Sequence, residues 1–179
     1  KLKLRSELPN ILRGCNASGL MVTHDPQEAM SICDKVAVMN KGKIHQIDTP
    51  INLLNNPKTI FVSSFILGNN IINLKKSGNS VMSCLGEINS TGLSNNKHIK
   101  KMSISPKFIS IKKSKSGDAK VISKEFLGEF LIYKVSINDN ILRVRTNINN
   151  LLNNGDKCSL SINKNSHYFL YPGAHKVYL

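Results

Sequence analysis

The sequence predicts an α/β layered segment over residues 1–66, followed by an all-β domain over residues 67–179. In the first segment, short apolar runs of strand length alternate with helical patterns, whereas beyond Gly68 short alternating segments are separated by Gly, Asn and Ser. A length of 179 residues accommodates two small domains. A hydrophobic content of 40% provides for packed cores and excludes wholesale disorder.

The first segment opens with a helix predicted over residues 1–13, where leucines and isoleucines occur at helical spacing and Gly14 ends the pattern. Residues 20–23, Leu-Met-Val-Thr, form an apolar run typical of a buried strand, and His24 follows directly. Asp25 is the predicted N-cap of the next helix, with Pro26 at its first position. His24 is therefore expected at a strand-to-helix junction.

The rest of this segment predicts a hairpin and two helices. Residues 35–39 resemble a buried strand, and residues 44–47 form its return strand across a tight turn that contains Gly42. Thr49 and Pro50 begin a short helix, and a last helix is predicted over residues 58–67. Because strands this apolar are typical of the interior of a larger sheet, the segment is interpreted as the tail of a larger α/β domain.

The second segment contains nine predicted strands of four to eight residues, most of them rich in β-branched and aromatic side chains. They cover residues 71–74, 80–85, 99–104, 108–111, 119–126, 130–137, 141–145, 158–162 and 167–170. Many short strands at near-regular spacing predict an all-β barrel or sandwich.

Charge, apolar runs and cysteine spacing limit the classes of protein to which this chain can belong. The 25 Lys and Arg residues exceed the 11 Asp and Glu residues, giving a net charge of +14. This excess indicates either an anionic partner or a bias towards Lys and Asn along the whole chain. No apolar run approaches the roughly 20 residues of a membrane-spanning helix, and no signal-peptide pattern is present. The four cysteines are widely separated, which predicts reduced thiols in a cytosolic protein and no metal site.

Four ordered sequence elements carry a resemblance to a known family. The string LMVTHDPQEA at residues 20–29 is followed by DKVAVM at 34–39, KGKI at 41–44 and TP at 49–50. This order closely resembles the switch-histidine region of ABC transporter ATPase subunits. The resemblance implies that His24 is catalytic and contacts the γ-phosphate of ATP. Asp25 is interpreted as the helix cap, and Glu28 as a solvated carboxylate of the first helical turn rather than a catalytic base.

The resemblance extends into the second segment. PKTIFVSSF at residues 57–65 is similar to the family's linker, and FLGE at 126–129, YKV at 133–135 and LRV at 142–144 are similar to strands of its transport-associated OB-like domain. It implies that residues 1–66 are the C-terminal piece of a P-loop-type nucleotide-binding domain, and residues 67–179 an OB-like regulatory domain. The chain departs from the family at Asp48, where a glycine is usual, and at residues 105–107, where Ser-Pro-Lys replaces Arg-Pro-Glu.

The family implies an importer subunit for a solute such as ferric iron, a polyamine or an oxyanion. Its expected partners are a second ATP-binding subunit, membrane permease subunits and, indirectly, a solute-binding protein. Such a subunit lies peripherally on the cytoplasmic face of the cell membrane and uses ATP and Mg²⁺.

Several ATPase motifs of the family are absent from this sequence: the Gly-rich phosphate loop G-x-x-x-x-G-K-[ST], the catalytic carboxylate with its magnesium-binding Asp, and the LSGGQ signature. The chain is therefore expected to begin after them and, alone, to need no cofactor and hydrolyse no ATP. Two alternatives remain open. One is an OB-like nucleic-acid-binding module that uses basic and aromatic side chains. The other is a regulatory remnant that does not hydrolyse ATP.

Overall fold

A computed structural model describes residues 2–77, 80–88, 99–149 and 151–179, with side chains from residue 7 onward. The chain divides into two compact units, Lys1–Leu67 and Gly68–Leu179. The first contains the α-helices, and the regular elements of the second, in its described part, are β-strands and one short 3₁₀ helix.

The N-terminal unit contains four helices and one hairpin. Their bounds are α1 Leu2–Gly14, α2 Pro26–Ile32, β1 Val36–Asn40, β2 Lys43–Asp48, α3 Pro50–Asn55 and α4 Ile60–Leu67. Strands β1 and β2 pair antiparallel around Lys41 and Gly42. Both turn residues have positive φ, 48° and 72°, the backbone conformation that closes a two-residue hairpin.

A small hydrophobic core holds this unit together. Val36 and Val38 alternate with exposed residues along β1, so that only one face of the strand is buried. They join Leu53 of α3 and Val62 of α4, both fully buried. The predicted hairpin and helices are confirmed, since each predicted element overlaps an observed one.

The strand predicted at residues 20–23 is wrong. These residues form an irregular segment, with Leu20 97% exposed and Val22 92% exposed. A strand needs a neighbouring strand to receive its hydrogen bonds. Among the described residues, β1 and β2 form a sheet of two strands, and no third strand pairs with either. An apolar composition alone therefore does not make residues 20–23 a strand.

The C-terminal unit contains twelve described strands and one short 3₁₀ helix. The strands are β3 Asn70–Asn73, β4 Lys75–Ser77, β5 Ser80–Ser83, β6 Gly86–Ile88, β7 Lys101–Ile104, β8 Ile109–Lys113, β9 Ala119–Phe126, β10 Leu131–Ile137, β11 Asn140–Thr146, β12 Lys157–Ile162, β13 His167–Tyr171 and β14 His175–Tyr178. The 3₁₀ helix, Pro106–Phe108, leads into β8. The β-rich architecture predicted for this unit is confirmed.

The described strands form three antiparallel sheets around one core. Five strands follow the order β11-β10-β9-β12-β8, four follow β14-β13-β7-β3, and three follow β4-β5-β6. In the part of the chain that the structure describes, no ladder joins β8 to β11, so the five-stranded sheet is not closed into a barrel. Fully buried side chains such as Met102, Tyr133 and Tyr168 fill the space enclosed by the sheets.

The side chain of Asn70 connects two of these sheets. Its Nδ2 donates to the backbone carbonyl of Arg143 at 2.8 Å, and its Oδ1 accepts from the Arg143 backbone N–H at 2.8 Å. Asn70 is only 7% exposed. The amide therefore takes the place of a neighbouring strand at the β11 edge, where these backbone groups would otherwise lack a protein partner.

Replacing Asn70 with alanine should lower the free energy of unfolding by about 2–4 kcal/mol, because two backbone groups lose their partners. Urea denaturation of the full chain, followed by circular dichroism, measures this loss. Asn73→Ala is the matched control, since Asn73 lies on the same strand but is exposed. Equal losses in the two variants would contradict the bridging role of Asn70.

Candidate functional site

His24 lies immediately before α2, and the start of that helix is capped as the sequence predicts. Asp25 has extended backbone angles, and its Oδ1 accepts from the backbone N–H groups of Gln27 at 2.9 Å and Glu28 at 3.4 Å. Pro26 occupies the first helical position, where its missing N–H removes no hydrogen bond. The cap fixes the backbone on the C-terminal side of His24.

The side chain of Thr23 holds the backbone on the N-terminal side of His24. Its hydroxyl donates to Glu28 Oε2 at 2.8 Å and accepts from the Asp25 backbone N–H at 3.1 Å. Glu28 lies in the first turn of α2 as the sequence predicts, and it is half-buried, with its carboxylate accepting the hydrogen bond from Thr23. Local hydrogen bonds to Thr23 and to the Asp25 cap thus hold the turn that carries His24.

The imidazole of His24 is exposed between these two fixed neighbours. An exposed ring has room for a ligand, and a histidine N–H can donate a hydrogen bond to an anionic oxygen. The carboxylates of Asp25 and Glu28 are already engaged as hydrogen-bond acceptors. The arrangement therefore offers one donor, and it fits a single contact to a phosphate oxygen.

The described side chains do not form a metal centre. Within residues 7–77, 80–88, 99–149 and 151–179, no group of three or more His, Cys, Asp or Glu side chains could hold a metal ion.

Asp48, which stands where the family usually has glycine, forms an ordered turn. Its carboxylate accepts from the Thr49 backbone N–H at 3.0 Å and from Asn52 Nδ2 at 2.8 Å. Both hydrogen bonds lower the pKa of Asp48, and the one from Asn52 has the larger effect. Thr49 in turn caps α3 by accepting from the Asn52 N–H. The turn is therefore held by side-chain hydrogen bonds that glycine could not make.

The second histidine of this unit has structural contacts. His45 Nδ1 lies 3.2 Å from the hydroxyl of Thr59, and its ring centroid lies 4.9 Å from that of Phe61. These contacts link β2 to the start of α4. Of the two histidines described in this unit, His24 is the exposed one.

A basic cavity in the C-terminal unit was not predicted from the sequence. It lies beside β8 and the end of β11, and its lining includes Lys107, Lys112, Lys113 and Arg145. The sequence gives one weak signal, the adjacent lysines that end β8. Because lysines occur throughout the chain, this signal does not stand out.

The helices of the described part are all too short to cross a membrane. No protein-family model matches the chain.

Comparison with curated proteins gives a consistent set of relatives. The chain is 51% identical over 69 residues to the spermidine/putrescine import ATP-binding protein PotA of Bacillus thuringiensis strain Al Hakam, a match that covers 38% of this chain and 21% of that protein. The Bacillus anthracis protein of the same name gives the same values. The Trichormus variabilis protein is 47% identical over 74 residues, covering 39% of this chain and 19% of its own length.

These names confirm the resemblance to ATP-binding subunits of ABC importers that the sequence predicts. The matched segment spans about a fifth of the length of these relatives.

Proposed function

We propose that the chain is the C-terminal portion of the ATP-binding subunit of an ABC importer that takes up a polyamine. The similarity to spermidine/putrescine import ATP-binding proteins supports both the class of transporter and the class of solute. The observation that carries the proposal is the exposed His24, held in a turn that is fixed on both sides.

In this proposal, His24 donates a hydrogen bond to an oxygen of the ATP γ-phosphate. ATP, when bound with Mg²⁺, supplies the phosphoryl group whose hydrolysis is coupled to transport. The Thr23 hydroxyl and the Asp25 cap hold the backbone of the turn, so that little conformational freedom is lost when the imidazole meets the phosphate. The N-terminal unit is then the end of a P-loop-type nucleotide-binding domain.

The C-terminal unit is proposed to be the OB-like, transport-associated domain of that subunit. Support comes from its β-rich architecture and from the sequence similarity at residues 126–129, 133–135 and 142–144. The expected partners are a second ATP-binding subunit and the membrane permease subunits. The intact protein would lie peripherally on the cytoplasmic face of the cell membrane.

Uptake of labelled spermidine tests this proposal. The chain is fused behind the N-terminal part of the Bacillus thuringiensis relative and expressed in a strain that lacks its own polyamine-import ATP-binding protein. We expect the fusion to restore saturable spermidine uptake, and a strain expressing the N-terminal part alone to show none. A fusion that accumulates and hydrolyses ATP but restores no spermidine uptake would contradict the polyamine assignment.

A further inference from the structure

The C-terminal unit contains a cavity of about 510 Å³ beside β8 and the end of β11. This volume lies within the range of about 300–1,000 Å³ that is typical of small-molecule sites. Strands β8 and β11 are the two edges of the five-stranded sheet. The cavity thus lies beside the two edge strands of this sheet, and no hydrogen-bond ladder joins these two strands in the described part of the chain.

The lining is cationic, and the described residues that form it include no carboxylate. Lys107, Lys112, Lys113 and Arg145 all contribute to it. Lys113 is partly neutralised by Asp156, whose carboxylate lies 2.9 Å from the lysine Nζ. Hydrogen bonds from the Asn153 backbone N–H and from Lys113 hold the pKa of Asp156 below its usual range, so this carboxylate stays charged.

The other three cations have no carboxylate partner among the side chains that the structure describes. Two of them rest on aromatic rings. The Arg145 guanidinium carbon lies 3.7 Å from the centroid of Phe130, and Lys107 Nζ lies 4.9 Å from that of Phe108. A guanidinium stacked on a ring keeps its N–H donors at the edge, where they can bind phosphate oxygens.

Polar side chains of the lining form hydrogen bonds within the protein. Ser110 donates a hydrogen bond to Asn163 Oδ1. Asn163 Nδ2 donates to the Lys107 carbonyl at 3.3 Å, and the Asn163 backbone N–H donates to the Phe108 carbonyl at 2.9 Å. These bonds connect β8, the end of β12 and the 3₁₀ helix, so the wall that carries Lys107 is formed before any ligand arrives.

None of the lining residues that the structure describes is aromatic. Proteins that bind single-stranded nucleic acid usually stack bases on exposed aromatic rings. Here the ring of Phe130 faces Arg145, and the ring of Phe108 faces His167 as well as Lys107. The cavity therefore provides charge without a stacking surface, which favours a compact anion over an oligonucleotide.

We propose that this cavity binds a compact anion with two or more phosphate groups and no aromatic base. Three cations without carboxylate partners match such an ion better than a single oxyanion, because each phosphate can accept charge-assisted hydrogen bonds from a different side chain. The inference rests on the C-terminal unit alone and goes beyond the proposed role of His24 in the N-terminal unit.

Titration calorimetry of the full 179-residue chain with tripolyphosphate tests the proposal. We expect saturable 1:1 binding at low salt that weakens as salt increases, since part of the attraction is screened. The double variant Lys112→Ala/Arg145→Ala should weaken binding about tenfold or more. Because Arg145 packs on Phe130, the single variant Lys112→Glu provides a second test that leaves this contact in place.

The matched control is Lys134→Ala/Arg143→Ala, a cross-strand pair on β10 and β11 that is exposed and does not line the cavity. It removes the same charge and should bind tripolyphosphate within about twofold of the unaltered chain. Equal weakening by both double variants would show general charge attraction, and no effect of Lys112→Glu would show that Lys112 does not contact the anion; either result would overturn the proposal. Sulfate binding as tightly as tripolyphosphate, or a dT oligonucleotide binding more tightly, would also overturn it.

Discussion

In a subunit completed with the N-terminal part of the Bacillus thuringiensis relative, replacing His24 with alanine should lower kcat for ATP hydrolysis about 100-fold. Removing one pre-positioned donor from a developing anionic centre costs about 100-fold to 1,000-fold in other enzymes. In the proposed function, the exposed imidazole of His24 is that donor. Steady-state phosphate release at saturating ATP measures the effect, and KM should change less than kcat because the relative supplies the phosphate loop.

The matched control for this variant is His175→Ala. His175 is also an exposed histidine, but it lies on β14 of the C-terminal unit. The control should hydrolyse ATP within about twofold of the unaltered fusion, as expected for a surface substitution away from the chemistry. If His24→Ala retained the full rate while binding ATP normally, His24 would have no part in hydrolysis.

Local sequence signals predict the short elements of the N-terminal unit well. Asp25-Pro26 and Thr49-Pro50 each begin a helix as predicted, because a capping side chain and a proline act within one turn of the chain. The strand predicted at residues 20–23 is wrong because a strand depends on a partner that lies elsewhere in the chain. Their composition favours a strand, but a strand exists only where another strand supplies hydrogen bonds, and sequence composition does not report that neighbour.

In the C-terminal unit, too, the sequence predicts local elements but not the contacts between distant residues. Each of its nine predicted strands overlaps an observed one, since alternating apolar residues are visible along the sequence. Strands β4, β6 and β14 were missed. Two of them, β4 and β6, have only three residues, and β14 has a half-buried pattern with a histidine and a lysine. The bridge from Asn70 to Arg143 spans 73 positions, and no local pattern encodes it.

The two candidate sites differ in how far the sequence can reveal them. His24 is found because neighbouring residues form an ordered motif around it. The basic cavity combines Lys107 from the 3₁₀ helix, Lys112 from β8 and Arg145 from β11, and only the folded sheet brings these segments together. A net charge of +14 spread over the chain conceals such a cluster, because each lysine taken alone looks like a solvated surface residue.

Replacing Tyr133 with alanine should lower the free energy of unfolding of the C-terminal unit by about 3–5 kcal/mol, the range found when a buried aromatic ring is truncated. Tyr133 is fully buried on β10, in the core shared by the sheets. Its hydroxyl also accepts a hydrogen bond from the Leu152 backbone N–H at 3.0 Å. The variant therefore leaves a cavity and deprives a buried donor of its partner. Urea denaturation followed by circular dichroism measures the loss.

Tyr133→Phe separates these two contributions. It keeps the ring and removes only the hydroxyl, so it should cost about 1–3 kcal/mol, the penalty for an unsatisfied buried N–H. Tyr178→Ala removes a tyrosine that is 69% exposed and should cost less than about 1 kcal/mol. If Tyr133→Ala cost no more than Tyr178→Ala, the ring of Tyr133 would not be part of a close-packed core. A loss in Tyr133→Phe equal to that in Tyr133→Ala would instead assign the whole effect to the hydrogen bond.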